Sequence, residues 1–124
     1  MRVVVICPDE ELQKGLAESF SQDGGSVLAK FLDAYPSPEA FGRLVRSWAP
    51  EVVFLSLEDP GRVSELCEQL DAEFPGLQRI GLAATPEPIQ FRLAMRLCMR
   101  ELLSAPIDAA ELRTLNAGDA VEDG

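Results

Sequence analysis

The sequence predicts an alternating α/β protein, with five parallel strands in one sheet and helices on both of its faces. Three observations carry this. First, Val52 to Leu57 is a short, uncharged apolar run, bounded by Pro50 on one side and Glu58-Asp59-Pro60 on the other. A strand buried on both faces in the middle of a parallel sheet reads this way. Second, such runs alternate along the chain with segments whose apolar residues recur at helical spacing. Third, 124 residues with 47% apolar content make one domain, large enough to bury a core without disulfides or metal.

Each element has its own signal. Arg2 to Ile6 reads as the first strand, with Cys7-Pro8 turning off its end. Asp9 is suited to cap the following helix, and Glu10 and Glu11 favour its positive end. Leu12, Leu16 and Phe20 mark one face of that helix, which Gly24-Gly25 stops. Ser26 to Leu32 is the second strand. Asp33 to Pro38 is a loop, with Ser37 as N-cap and Pro38 at the first helical position. Phe41, Leu44, Val45 and Trp48 form the core face of the next helix, which Pro50 ends. After the third strand, Val63, Leu66, Cys67, Leu70 and Phe74 define a helix closed by Pro75-Gly76. Leu77 to Ala84 is the fourth strand. Thr85-Pro86-Glu87-Pro88 opens a helix running to about Met99. Glu101 to Ser104 is the fifth strand, and a last helix begins near Asp108. Residues 1–115 make the domain, and from Asn116 the chain is an acidic tail or the start of a linker. Five such units imply the flavodoxin-like strand order 2-1-3-4-5.

Composition excludes several classes of function. There is no histidine, so no catalytic arrangement that depends on one. Cys7, Cys67 and Cys98 are odd in number and have no metal-ligand spacing, which argues against a zinc site and a disulfide framework. No metal or cofactor is expected. A net charge of −10 disfavours nucleic acid as a partner. No apolar run reaches the roughly 18 residues of a membrane span, and the N-terminus reads as a strand and not a signal peptide. The expected location is cytoplasmic.

Over nearly its whole length the chain resembles the receiver domains of bacterial response regulators. The residues that carry the likeness are Ala49-Pro50-Glu51-Val52-Val53-Phe54-Leu55, Pro60 and Ser104-Ala105-Pro106-Ile107. The resemblance implies a phosphorylation pocket at the carboxyl ends of the strands. That pocket needs two acidic residues for magnesium, a phosphoacceptor aspartate, a hydroxyl residue and a lysine. Oxygen ligands suit a hard cation, and cations stabilise phosphoryl transfer. Here the acidic pair aligns with Cys7 and Pro8, the phosphoacceptor with Ser56, the hydroxyl position with Ala84, or with Ala83 on a one-residue shift, and the lysine with Ala105. None of the set survives. Asp9 and Glu58 lie nearby and would make at most a weak cation site. The implied protein is a pseudo-receiver without the switch chemistry.

A narrower likeness covers Ala94-Met95-Arg96-Leu97-Cys98-Met99-Arg100-Glu101-Leu102-Leu103-Ser104-Ala105-Pro106-Ile107. It is similar to a segment of the atypical N-terminal receiver in pilus-assembly ATPases called TadZ or CpaE. That resemblance implies a C-terminal ParA/MinD-like ATPase, a role in localising the pilus machinery, and placement at a cell pole. No Walker motif occurs in this chain, so any ATPase would lie outside it.

Ser56 has no base to activate it and is read as a structural serine. Cys7 sits where a helix N-terminus can lower a thiol pKa, but a phosphate loop would need arginine where Gln13 stands, so it is read as a buried small hydrophobe. The fourth helix is more informative. Ile89, Leu93 and Leu97 are expected to face the sheet. Phe91, Met95 and Cys98 or Met99 make a second apolar line, and Arg92, Arg96 and Arg100 a positive stripe. Such residues are enriched at interfaces. Phe91, Arg92, Met95, Arg96 and Met99 are therefore the candidate surface for self-association or for docking a protein partner. Two other readings compete with this module. One is a divergent receiver phosphorylated at Ser56 or Asp59. The other is a small flavodoxin-like enzyme or nucleotide binder, which lacks a Gly-rich phosphate cradle and a general base here.

Overall fold

A computed structural model describes residues 1–22 and 27–107. Strands β1 (Arg2–Ile6), β2 (Leu28–Leu32), β3 (Val52–Ser56), β4 (Gln78–Ala83) and β5 (Glu101–Ser104) alternate with helices α1 (Glu10–Gln22), α2 (Pro38–Trp48), α3 (Pro60–Glu73) and α4 (Pro88–Arg96). All strand pairs are parallel, in the order β2-β1-β3-β4-β5. The expected sheet order is the observed one. The expected last helix near Asp108 and the tail from Asn116 lie outside the described residues.

Alternation along the strands sorts the core into two layers. Val3, Val5, Val52, Phe54, Ile80 and Leu82 face α1, where Leu12, Leu16 and Phe20 cover them. The Phe20 ring meets that of Phe54 edge-on at 5.7 Å. Val4, Ile6, Val53 and Leu55 face the other way, onto α2, α3 and α4. Phe41 and Val45 of α2, and Val63, Leu66, Cys67 and Leu70 of α3, close that layer. Each face of the central strand is thus buried, as its uninterrupted apolar run requires.

Helix ends follow the residues present. Asp9 accepts from the Glu11 and Leu12 amides at 2.9 and 3.2 Å. Ser37 accepts from the Ala40 amide at 3.2 Å, and Asp59 from the Arg62 amide at 3.1 Å, each with proline at the start of its helix. Because Asp59 caps it, α3 begins at Pro60, three residues before the first core residue, Val63. At the opposite edge of the sheet, Trp48 packs on the core and donates its indole N–H to the Val3 carbonyl at 3.0 Å. The Arg2 guanidinium and the Lys30 ammonium lie 5.1 and 5.6 Å from its ring centre.

Two expectations for the fourth helix are corrected. It spans Pro88 to Arg96 and does not reach Met99. Cys98 takes a left-handed φ of 58°, which ends the helix and turns the chain back. Ile89 does not face the sheet and is 69% exposed. A four-residue step overshoots the helical turn by about 40°, so a stripe spaced every four residues drifts around the helix. The buried side is made by Leu93 and Ala94, with Leu97 packed against the same core.

Candidate functional site

The strand register brings the loops after β1, β3, β4 and β5 to one edge of the sheet. Ile6 pairs with Leu55, Ser56 with Leu82, and Ala83 with Ser104, so Cys7, Ser56, Ala84 and Ala105 follow at the carboxyl ends. This is where open parallel sheets place their chemistry. Cys7, Ser56, Ala84 and Ala105 therefore lie at one edge of the sheet.

Ser56 is buried, and its hydroxyl accepts from the Glu58 amide at 3.2 Å. It holds the β3–α3 turn. Cys7 is buried too. Burial pushes its thiol pKa up, and the neighbouring Asp9 and Glu58 charges push the same way, against hydrogen bonding at Asp9. Hydrogen bonding at Asp9 and Gln13, in the first turn of the following helix, pulls the thiol down, but burial outweighs it, and Sγ donates to the Asp9 carbonyl at 3.4 Å. Pro8 contributes no donor. Ala84 and Ala105 are exposed methyl groups. The Asp9 and Asp59 carboxylates both serve as helix caps. Among the described residues no group of three His, Cys, Asp or Glu side chains is placed to hold a metal ion.

Tyr35 supplies what the sequence reading missed. From the β2–α2 loop its hydroxyl donates to the Ser56 carbonyl at 2.7 Å and accepts from the Asp59 amide at 3.3 Å. One side chain thus joins the end of β3 to the start of α3. Burial raises its pKa, partly offset by these two bonds. Its only advance signal is that it is the single tyrosine of the chain, in a loop that also carries Pro36 and Pro38.

The fourth helix presents a different surface. Phe91 is 49% and Met95 79% exposed, and at a four-residue spacing they form an apolar pair on one side of the helix. Arg92 and Arg96 are exposed beside it. Among the described residues neither arginine forms an ion pair. Met99 does not belong to this face. Beyond the left-handed turn at Cys98 it packs against the core, over Gly81. A Cβ built on Gly81 would lie 2.8 Å from the Met99 sulfur, so the glycine makes the seat that Met99 fills. Phe91, Arg92, Met95 and Arg96 all lie on the exposed side of α4, Met99 is withdrawn from it, and Ile89 is exposed across the arginines from Phe91 and Met95. Among the described residues no helix is long and apolar enough to cross a membrane.

No protein-family model matches the chain, and no curated protein matches it in sequence. Its likenesses are to solved structures. It is similar to a CheY-like protein, TadZ, of Pseudomonas aeruginosa PAO1, with a TM-score of 0.75, 24% identity, and coverage of 94% of this chain and 97% of that one. It is similar to the receiver domain of NtrX from Brucella abortus, with a TM-score of 0.71, 19% identity, and coverage of 98% and 99%. Against a longer NtrX chain from the same organism the TM-score is 0.72 at 20% identity, covering 98% of this chain and 26% of that one. The fold of this chain is that of CheY-like receiver domains.

Proposed function

We propose that this receiver-fold domain is a non-catalytic module for protein–protein association, and that it associates through the exposed face of α4. The observation that carries the reading is the exposed apolar pair Phe91 and Met95 with Arg92 and Arg96 beside it, on a chain of net charge −10. Apolar residues exposed together mark interaction sites. A positive rim on an acidic protein selects a surface rich in carboxylates. A second copy of the chain, with 21 Asp and Glu residues, offers such a surface and is the first occupant proposed. The pocket side supports the non-catalytic reading, because Ser56 and the Asp9 and Asp59 carboxylates are engaged in holding turns and helix ends.

The similarity to TadZ, together with the segment Ala94 to Ile107, supports a more specific role in the localisation of pilus assembly, at a cell pole and with an attached ParA/MinD-like ATPase. The similarity to the NtrX receiver supports a second reading, a divergent receiver phosphorylated at Ser56 or Asp59. Light scattering after size exclusion, over a range of protein concentrations with and without magnesium and beryllofluoride, separates these. A dimer insensitive to the phosphoryl mimic supports the association module. A mimic-dependent shift supports the second reading. A strict monomer in both conditions moves the occupant of α4 from a second copy to a different protein.

A further inference from the structure

We infer that Arg79 is the positioning residue of the α4 face, a buried clamp that fixes how the helix lies on the sheet. Arg79 stands inside β4, directly before the apolar stretch Ile80-Gly81-Leu82-Ala83, and is 4% exposed. A guanidinium taken out of water is costly unless it is paired and its donors are used. Here both conditions are met by residues of other elements. One terminal nitrogen donates to the Asp71 carboxylate of α3. The other donates to the Leu97 carbonyl at 2.9 Å.

The Leu97 carbonyl is the informative partner. Leu97 is the residue that closes α4, and the last carbonyls of a helix have no partner within it. They also form the negative end of its dipole, where a cation is favoured. Arg79 therefore caps α4 from beneath, through the core. Its own carbonyl accepts from the Arg100 amide at 2.8 Å, so one residue of β4 holds both sides of the turn from Leu97 to Arg100. The apolar seat of α4 is small. Within its span only Leu93 and Ala94 are buried. A helix held by so few buried side chains depends heavily on one charge-assisted bond at its end. Asp71 anchors the clamp from the rim, with a side chain that is 65% exposed. Phe91, Arg92, Met95 and Arg96 then keep the arrangement in which they meet a partner, a last step that rests on the proposed role of α4.

Amide hydrogen exchange by NMR, measured on the same samples as association, tests the clamp. In Arg79→Met, which fills the space without the charge or donors, exchange at the Leu93 and Leu97 amides is expected to rise about ten- to a hundredfold. The Val4 and Val53 amides of the central strands are expected to stay within about threefold. Arg79→Lys restores part of the protection. Should Arg79→Met not fold, Asp71→Ala removes only the anchor and is expected to raise α4 exchange several-fold. Equal acceleration everywhere, or none in α4, overturns the inference. Loosening of α4 with unchanged association supports the clamp and overturns the docking role of the helix, so the two failures are told apart.

Discussion

The carboxyl edge of β3 and the outer face of α4 are built in opposite ways. At the first, polar side chains are abundant and spoken for. Tyr35 bridges the Ser56 carbonyl and the Asp59 amide, Ser56 holds the Glu58 amide, and two aspartates cap helices. At the second, large apolar side chains and two arginines stand in water without ion pairs among the described residues. A group that stores its hydrogen bonds inside the fold contributes stability and has little left to give a substrate. An apolar surface left in water gains free energy only when something covers it. The difference is the ground of the proposed function: bonds already made hold the β3 edge together, whereas the α4 face gains by being covered.

The largest effect should come from breaking the second region. Met95→Asp with Arg96→Glu places charge in the apolar pair and reverses its rim. Association should weaken about a hundredfold, while stability to urea stays within about 0.5 kcal/mol, as for exposed positions. Light scattering and urea titration together check this. Comparable loss from changes in the pocket would erase the contrast.

The next effect is alkaline and separates the two core layers. Burial pushes the Cys67 thiol from 9.0 up to about 11, against the pull of Arg79. A raised acid pKa in the folded state means that protons are held more tightly there than in the unfolded chain. The associated stability is fully present below pH 9.0 and is lost as pH rises through about 11. The loss is on the order of 2 kcal/mol, and Cys67→Ala should remove that share of the slope in urea melts between these pH values. Cys7 and Tyr35 are shifted in the same direction and leave a residual slope from the pocket side.

Smaller changes sharpen the pocket side. Tyr35→Phe strips one hydroxyl from two backbone partners and should cost about 1–2 kcal/mol in urea melts, with association unchanged. Thiol labelling gives the finest distinction. Cys98 is exposed beside α4, whereas Cys7 is buried. At pH 8 iodoacetamide should modify Cys98 promptly and reach Cys7 only through unfolding, as mass spectrometry of the peptides would show.

Much of this was legible in the residues. Runs such as Val3 to Ile6 and Val52 to Leu55 announce strands buried on both faces, and the caps Asp9 and Ser37 sit where short polar side chains precede helical spacing. The likeness to receivers put Cys7, Ser56, Ala84 and Ala105 at the carboxyl ends of the strands, where the sheet register has them. What failed was the angular detail of α4. Ile89 and Met99 have the spacing of a helical stripe, yet drift carries one off the sheet and a left-handed residue at Cys98 folds the other inward. Gly81 was a clue of the right kind, since a glycine within a strand often marks a close approach by another group. Arg79 and Tyr35 were invisible for a different reason. Their partners are backbone groups distant in sequence, and no local pattern encodes those.

Trp48 has a practical consequence. It is the single tryptophan of the chain, held against β1 by its bond to the Val3 carbonyl and flanked by Arg2 and Lys30. Strands β1 and β2 are its neighbours, whereas α4 lies by β5 at the other side of the sheet. Its fluorescence is therefore an internal gauge of whether the sheet is intact, blind to occupancy of the distant helix. In a single cuvette, emission reports folding while scattered light reports assembly, and a variant that loses one without the other is recognised at once.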